Sequence, residues 1–415
     1  MKPETQHRML VAAVWILRIA IGIVFLSSGL AKTIDLWGTV YKIEEYFRVW
    51  GIFEPRSIVF MGSLLLSGTE LVVGALLVFG CYRRVSVWIL LAMMAVMLPL
   101  TVYIYAANPV SDCGCFGDLF HLSNAETFWK NVVITVALIF LLKYNTIVGP
   151  MYSPWLQWFV TALLVAYTLA TGLYGYNIQP LVDFRSFPAG GEIIPEQDMA
   201  EAPEFVYEKD GKRQTFSIDN LPGEGWTYVD RIDKENGRQL TEMAVFDSDG
   251  EEVTSDVIPT EGNVVILVVP ELGRAEISYT YFLNELNNRV AASGGKMLAL
   301  VSGGSPGIAY WKDMSLAEYP VYSAEPTLLK ELSRGNMSLV AVSDGIIQWK
   351  RNLITVDQEN FLKRYNPEEP ATGASLNGVS VFQAFTIILL LILGIVYMLD
   401  STGRLIKWRL KHLDN

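Results

Sequence analysis

The chain has 415 residues, 51% of them hydrophobic, a mean hydropathy of +0.31 and a formal charge of −11. That much apolar surface excludes an ordinary soluble protein, and an acidic balance without a basic stripe excludes nucleic-acid binding. Three cysteines, Cys81, Cys113 and Cys115, cannot build a disulfide framework, so the close pair reads as a site.

Six apolar runs, about 9–31, 57–80, 86–107, 125–142, 154–177 and 379–399, are each near the ~20 residues that cross a hydrocarbon core. The first is too long for a signal peptide and carries Arg18 in its interior, so it reads as a retained anchor. Arg83-Arg84, Lys143 and the Arg404–Lys411 cluster follow the second, fourth and sixth runs. The positive-inside rule then places both termini in the cytoplasm, with loops 32–56, 108–124 and 178–378 outside. An inner, cytoplasmic membrane with a large periplasmic domain is the expected setting.

Arg18 in the first span and Glu70 in the second are ionisable residues where such residues are costly. Counted from the cytoplasmic ends at 1.5 Å per residue, both come to lie ~14 Å deep, which predicts an Arg18–Glu70 ion pair. Such a pair either locks the bundle or lines a pocket for a quinone head group. Gly29, Gly68 and Gly74 predict close helix contacts, and Lys32 and Asp35 are expected at the head-group level.

Asp112-Cys113-Gly114-Cys115-Phe116-Gly117-Asp118 falls in the second outward loop, and Ser123-Asn124-Ala125-Glu126 is a capping box that starts the fourth span. A Cys-x-Cys pair facing an oxidising compartment can cycle between dithiol and disulfide, and Gly114 and Gly117 permit the tight turn this needs. Two other readings stay open. Both cysteines can be reduced and packed as small apolar residues, or they can hold zinc with Asp112, Asp118 or His121, although the spacing matches no common zinc pattern. No metal is therefore assigned. Cys113 and Cys115 are the candidate catalytic residues, yet the loop itself offers only His121 as a cation, and its two aspartates oppose thiolate formation.

Arg18, Gly22, Phe25, Ser28-Gly29, Lys32 and Asp35, then Glu70, Gly74 and Gly80, then Asp112 to Gly117, resemble the DoxX/MauE family of integral membrane proteins over roughly residues 9–145. The resemblance implies a four-helix membrane bundle. It also implies redox chemistry: MauE is associated with disulfide formation during methylamine dehydrogenase maturation, DoxX with quinol oxidation.

Beyond the fifth span, Phe205–Lys212 reads as a hairpin turning at Asp210-Gly211, and Asp247–Gly250 as a second turn. From Asn263 onward the pattern is strand 264–270, helix 275–289, strand 296–301, helix 307–316, strand 321–322, helix 326–334, strands 338–343 and 346–350, and helix 356–365. This order resembles a thioredoxin fold. Pro270-Glu271-Leu272-Gly273-Arg274-Ala275 stands where a Cys-x-x-Cys would be, so this domain has no dithiol chemistry of its own.

The expected organisation is a membrane domain of five spans over 1–177, a linker and β-rich lead-in over 178–262, and a thioredoxin-like extracytoplasmic domain over 263–370. A sixth span with a basic cytoplasmic tail occupies 379–415. The functional expectation is a redox-associated membrane protein exchanging disulfides with an extracytoplasmic protein client and passing electrons to a quinone. The alternative is a non-catalytic accessory subunit of a larger membrane complex. Transport is disfavoured, since no inverted repeat or broken helix pair is visible.

Overall fold

The computed structural model describes residues 3–107, 113–119, 122–194, 204–209, 212–217, 227–232, 243–258, 260–365 and 378–413. The first six helices are α1 (Pro3–Ile34), α2 (Leu36–Val49), α3 (Arg56–Phe79), α4 (Arg83–Ala107), α5 (Asn124–Tyr144) and α6 (Gln157–Asn177). Strands β1 (Glu204–Lys209), β2 (Lys212–Ser217) and β3 (Thr227–Ile232) follow, then a single turn α7 (Thr254–Val257) and β4 (Asn263–Val269). Next come α8 (Thr280–Ala292), β5 (Lys296–Val301), α9 (Gly304–Ser315), β6 (Val321–Ser323) and α10 (Pro326–Leu332). The chain ends with β7 (Ser338–Ser343), β8 (Ile346–Asn352), α11 (Gln358–Arg364) and α12 (Gly378–Leu413). Two compact units result: residues 1–184 with 375–415, and residues 185–374.

In the first unit, α1, α3, α4, α5, α6 and α12 are each long and apolar enough to cross a membrane. The chain is a multi-pass membrane protein. The capping box at Ser123 forms as its residues require: the hydroxyl accepts from the Glu126 amide and the Glu126 carboxylate accepts from the Ser123 amide. Residues 32–56, expected as a loop between the first two spans, contain α2. Asp35 caps it by accepting from the Gly38 amide, and Leu36, Trp37, Val40 and Tyr46 are buried along it.

Glycines set the register of α1 against α3. A Cβ on Gly29 would stand 2.2 Å from the Leu71 backbone nitrogen, and one on Gly74 would stand 2.5 Å from that of Leu26. Backbones this close leave no room for a methyl group, the small-residue logic of membrane helix pairs. Gly29→Ala is therefore expected to destabilise the bundle by about 1–3 kcal/mol, since no side-chain rotation relieves a clash with backbone. Gly62→Ala, with open space around its Cβ position, should leave the melting temperature in detergent unchanged or raise it.

In the second unit a five-stranded sheet runs β6-β5-β4-β7-β8, parallel across β6, β5 and β4 and antiparallel across β4, β7 and β8. Strand β4 is apolar on both faces, as a covered central strand must be. Val264, Ile266 and Val268 pack with α10 and with Phe187, Val245 and Ile258. Val265, Leu267 and Val269 pack with α8, α9 and α11. The helix expected from residue 275 begins only at Thr280. Before it, the Glu271 amide donates to Asn336 Oδ1 and the Glu276 amide to Met337 Sδ, which diverts this backbone from helical bonding. Strands β1, β2 and β3 form a separate sheet in the order β2-β1-β3, and the expected hairpin closes at Lys209 opposite Lys212. The Asp247–Gly250 turn also forms, with the Asp247 carboxylate accepting from the amides of Asp249 and Glu251.

Candidate functional site

At one end of the α1–α3 pair, Glu70 is 4% exposed and Lys32 5% exposed. The Lys32 ammonium donates to both Glu70 oxygens, at 2.8 and 2.7 Å, and to Ser28 Oγ at 3.3 Å. Ser28 lies one helical turn before Lys32, so both side chains project from the same face of α1. The Ser28 hydroxyl reaches Glu70 Oε2 at 2.8 Å and the backbone carbonyl of Cys115 at 2.5 Å. A buried ion pair is thereby tied to the cysteine loop.

The loop folds against α1, α2 and α4. Tyr46 of α2 donates from its hydroxyl to the Cys113 carbonyl at 3.1 Å, and Tyr46, Ile104 and Cys113 are buried together, with Leu100 and Cys115 packed on them. Gly114 takes φ +67°, and a Cβ there would meet Lys42 Cγ at 2.7 Å, so both backbone conformation and space require glycine. The sulfurs of Cys113 and Cys115 lie 2.8 Å apart as free thiols. Cys113 is buried and Cys115 half-buried.

The two thiols are made unequal by their contact. The hydrogen bond from Cys113, with Lys130 and Lys32 nearby, lowers the Cys115 thiol to about 6 against the desolvation that opposes it. Cys113 is pushed up, first by keeping the proton of that hydrogen bond and then by burial. Within the loop's own sequence His121 is the one cation, and the groups that favour this thiolate lie outside the loop. The cations come from α1 and α5, where Lys130 stands over the Phe116 ring at 4.7 Å.

The expected Arg18–Glu70 pair does not form. Arg18 is fully buried at the other end of the helix pair, its guanidinium over Gly80 and 4.3 Å from the Trp15 ring. No hydrogen bond among the described residues reaches its three nitrogens. The depth count failed because α1 begins at Pro3, so Arg18 lies level with Gly80 rather than with Glu70, about 15 Å away along α3. The structure does not bring the two residues together. Lys32 and Asp35, expected at the head-group level, are both buried within the protein.

Cys81 lies beside Arg18, fully buried, and burial pushes its thiol up to about 12, so it is inert and remote from the loop pair. Among the described residues no group of three metal-ligand side chains occurs. Asp112 and His121, weighed as zinc ligands, lie outside the described residues, as does the side chain of Asp118.

Residues 10–144 match the family described as methylamine utilisation protein MauE, which covers α1 to α5 and the cysteine loop. Residues 202–235, the three-stranded sheet, match a domain of unknown function, DUF8463. A comparison with curated proteins finds no match.

Proposed function

We propose that the chain is a membrane thiol–disulfide oxidoreductase that oxidises protein dithiols outside the cytoplasm through Cys113 and Cys115. The observation that carries this reading is the unequal, touching thiol pair fixed to a buried ion pair by Ser28. The more accessible sulfur is the one favoured as thiolate, which suits it to form the mixed disulfide and to leave from it.

In the oxidising direction a client thiolate attacks Cys115 Sγ of the Cys113–Cys115 disulfide, and Cys113 takes up a proton as it is released. The client's second thiol then attacks the mixed disulfide, and Cys115 departs as thiolate. The client loses two electrons and the pair gains them. Regeneration passes two electrons to a lipid-soluble acceptor of the quinone class, which enters as co-substrate and takes one proton from Cys113 and a second from the medium. The positive-inside distribution supports an inner membrane with both termini cytoplasmic and this loop outside. The similarity to a family named for methylamine utilisation supports a role in maturing a secreted client. The sheet unit, thioredoxin-like in its strand and helix order yet lacking cysteine, is assigned to client binding.

Alkylation shift in intact cells, with Cys81 replaced, tests the reading. A mixed population of oxidised and reduced Cys113–Cys115, and a partner captured covalently on Cys115 in Cys113→Ala, is the expected result. Two thiols that stay reduced with no adduct would leave the accessory-subunit reading in its place.

A further inference from the structure

Ser28 Oγ is close to three groups, yet a hydroxyl has one proton to give. It accepts from Lys32 and faces two acceptors, Glu70 Oε2 and the Cys115 carbonyl. While Glu70 is ionised, one of those two oxygen–oxygen contacts has no proton between its atoms. A proton on Glu70 removes the conflict. The carboxyl then donates to Ser28, Ser28 donates to the Cys115 carbonyl, and Lys32 still donates to both side chains.

Charge argues the same way. With the cysteines joined as a disulfide, Lys32 faces one anion, Glu70. With the pair reduced, the Cys115 thiolate becomes a second anion sharing the same enclosed ammonium. Lys130, which favours this thiolate more than Lys32 does, is half-buried and stacks on Phe116, and it does not contact Glu70 in any hydrogen bond or ion pair among the described residues. Lys42 of α2, against Gly114, already pairs with Glu45 at 2.9 Å. Asp35, at the head of α2, accepts from the Gly38 amide. A half-buried thiolate beside a buried carboxylate, both drawing on Lys32, costs more than the carboxylate alone, and neutralising Glu70 restores the balance.

We propose that Glu70 takes up a proton when the Cys113–Cys115 disulfide is reduced and returns it when the pair is reoxidised. The inference rests on the thiol-exchange reading and adds a proton-accepting residue to it. The step balances. The disulfide, two electrons and two protons give a Cys113 thiol, a Cys115 thiolate and a Glu70 carboxyl. The client dithiol supplies both electrons and both protons, and the quinone-class acceptor removes them. Ser28 is the positioning residue that holds the loop at the carboxyl.

The test is the pH dependence of the midpoint potential of the full-length protein in nanodiscs, poised with dithiol buffers between about pH 6.5 and 8, above the Cys115 thiol at about 6. Each proton taken up per two electrons changes the equilibrium tenfold per pH unit, which is about 30 mV. The wild type is expected to fall by about 60 mV per pH unit, two protons, and Glu70→Gln by about 30 mV, one proton. A one-proton slope in the wild type, or an unchanged two-proton slope in Glu70→Gln, overturns the proposal. The second measurement needs no variant. A reduced-minus-oxidised infrared spectrum of the wild type should show a new protonated carboxyl band, and its absence overturns the proposal equally. A pair with no measurable couple at all removes the thiol-exchange reading as well, an outcome distinct from a couple that carries one proton.

Discussion

Replacing Cys113 by Ala is expected to slow alkylation of Cys115 at neutral pH and to raise the midpoint of its pH profile. In the wild type the reactive form of Cys115 should appear through about pH 6, because the Cys113 thiol donates to its sulfur. That hydrogen bond is the largest cause of the lowering, and Lys130 and Lys32 contribute less. A hydrogen bond to a charged group contributes about 1.5–3 kcal/mol, so its loss should move the midpoint up by about one to two pH units. The sign follows from which form is bonded: the donor stabilises thiolate, so its removal favours the thiol. Cys115→Ala should act differently. It leaves only Cys113, which loses the hydrogen bond to Cys115 but stays raised by its burial, so alkylation near neutral pH should be slow and client oxidation should be lost. Rates of iodoacetamide labelling across pH 5–9 for the wild type and both variants decide the matter. Equal profiles for Cys115 in wild type and Cys113→Ala would show that the two sulfurs do not share a proton.

What could be read from the sequence follows from how local each signal is. Apolar run length is a local property, and six of the seven long helical segments from α1 to α12 were placed from it, as was the capping box at Ser123. The strands at 263–269 and 296–301 were equally visible, since a strand covered on both faces is an uninterrupted run of Val, Leu and Ile. α2 is harder to see because charged residues interrupt its apolar positions, although Asp35 before Leu36-Trp37 and Val40 is a helix-start signal.

The ion pair was misassigned for a different reason. Which residue of α1 stands beside Glu70 depends on the register of two helices, and the ends of the apolar runs are poor rulers when one helix has 32 residues and its partner 24. Gly22, Gly29 and Gly74 carried the missing information. Pairing the close-contact glycines with the facing backbone sets Leu26 beside Gly74 and Gly29 beside Leu71, which brings Glu70 to Ser28 and, one turn on, Lys32. The cations that favour the Cys115 thiolate were hidden in the same manner. They are adjacent to the loop in space and about 80 residues from it, or on the following helix, in sequence.

Lys32→Met is expected to be among the most destabilising single substitutions in the bundle, and the reason separates stability from chemistry. It removes the ammonium that donates to both oxygens of a carboxylate 4% exposed, leaving Glu70 with the Ser28 hydroxyl. Removing one member of a buried pair costs about 3–5 kcal/mol, because the survivor is a charge without compensation. The pair itself need not stabilise the fold, since exchange of both members for apolar residues is often neutral. Lys32→Met with Glu70→Met should therefore recover most of the lost melting temperature, and a double-mutant cycle in detergent should return a coupling of several kcal/mol. A double variant no more stable than Lys32→Met alone would mean that the lysine acts through some contact other than Glu70. If the pair were only a lock for α1 and α3, the recovered double variant should also keep its disulfide chemistry and its proton coupling. If the pair serves the cysteines, that same stable protein should lose the second proton from its redox slope and bind its loop less firmly. A buried ion pair that apolar residues can replace without loss of stability is retained for what its charges do, and here they face Cys115.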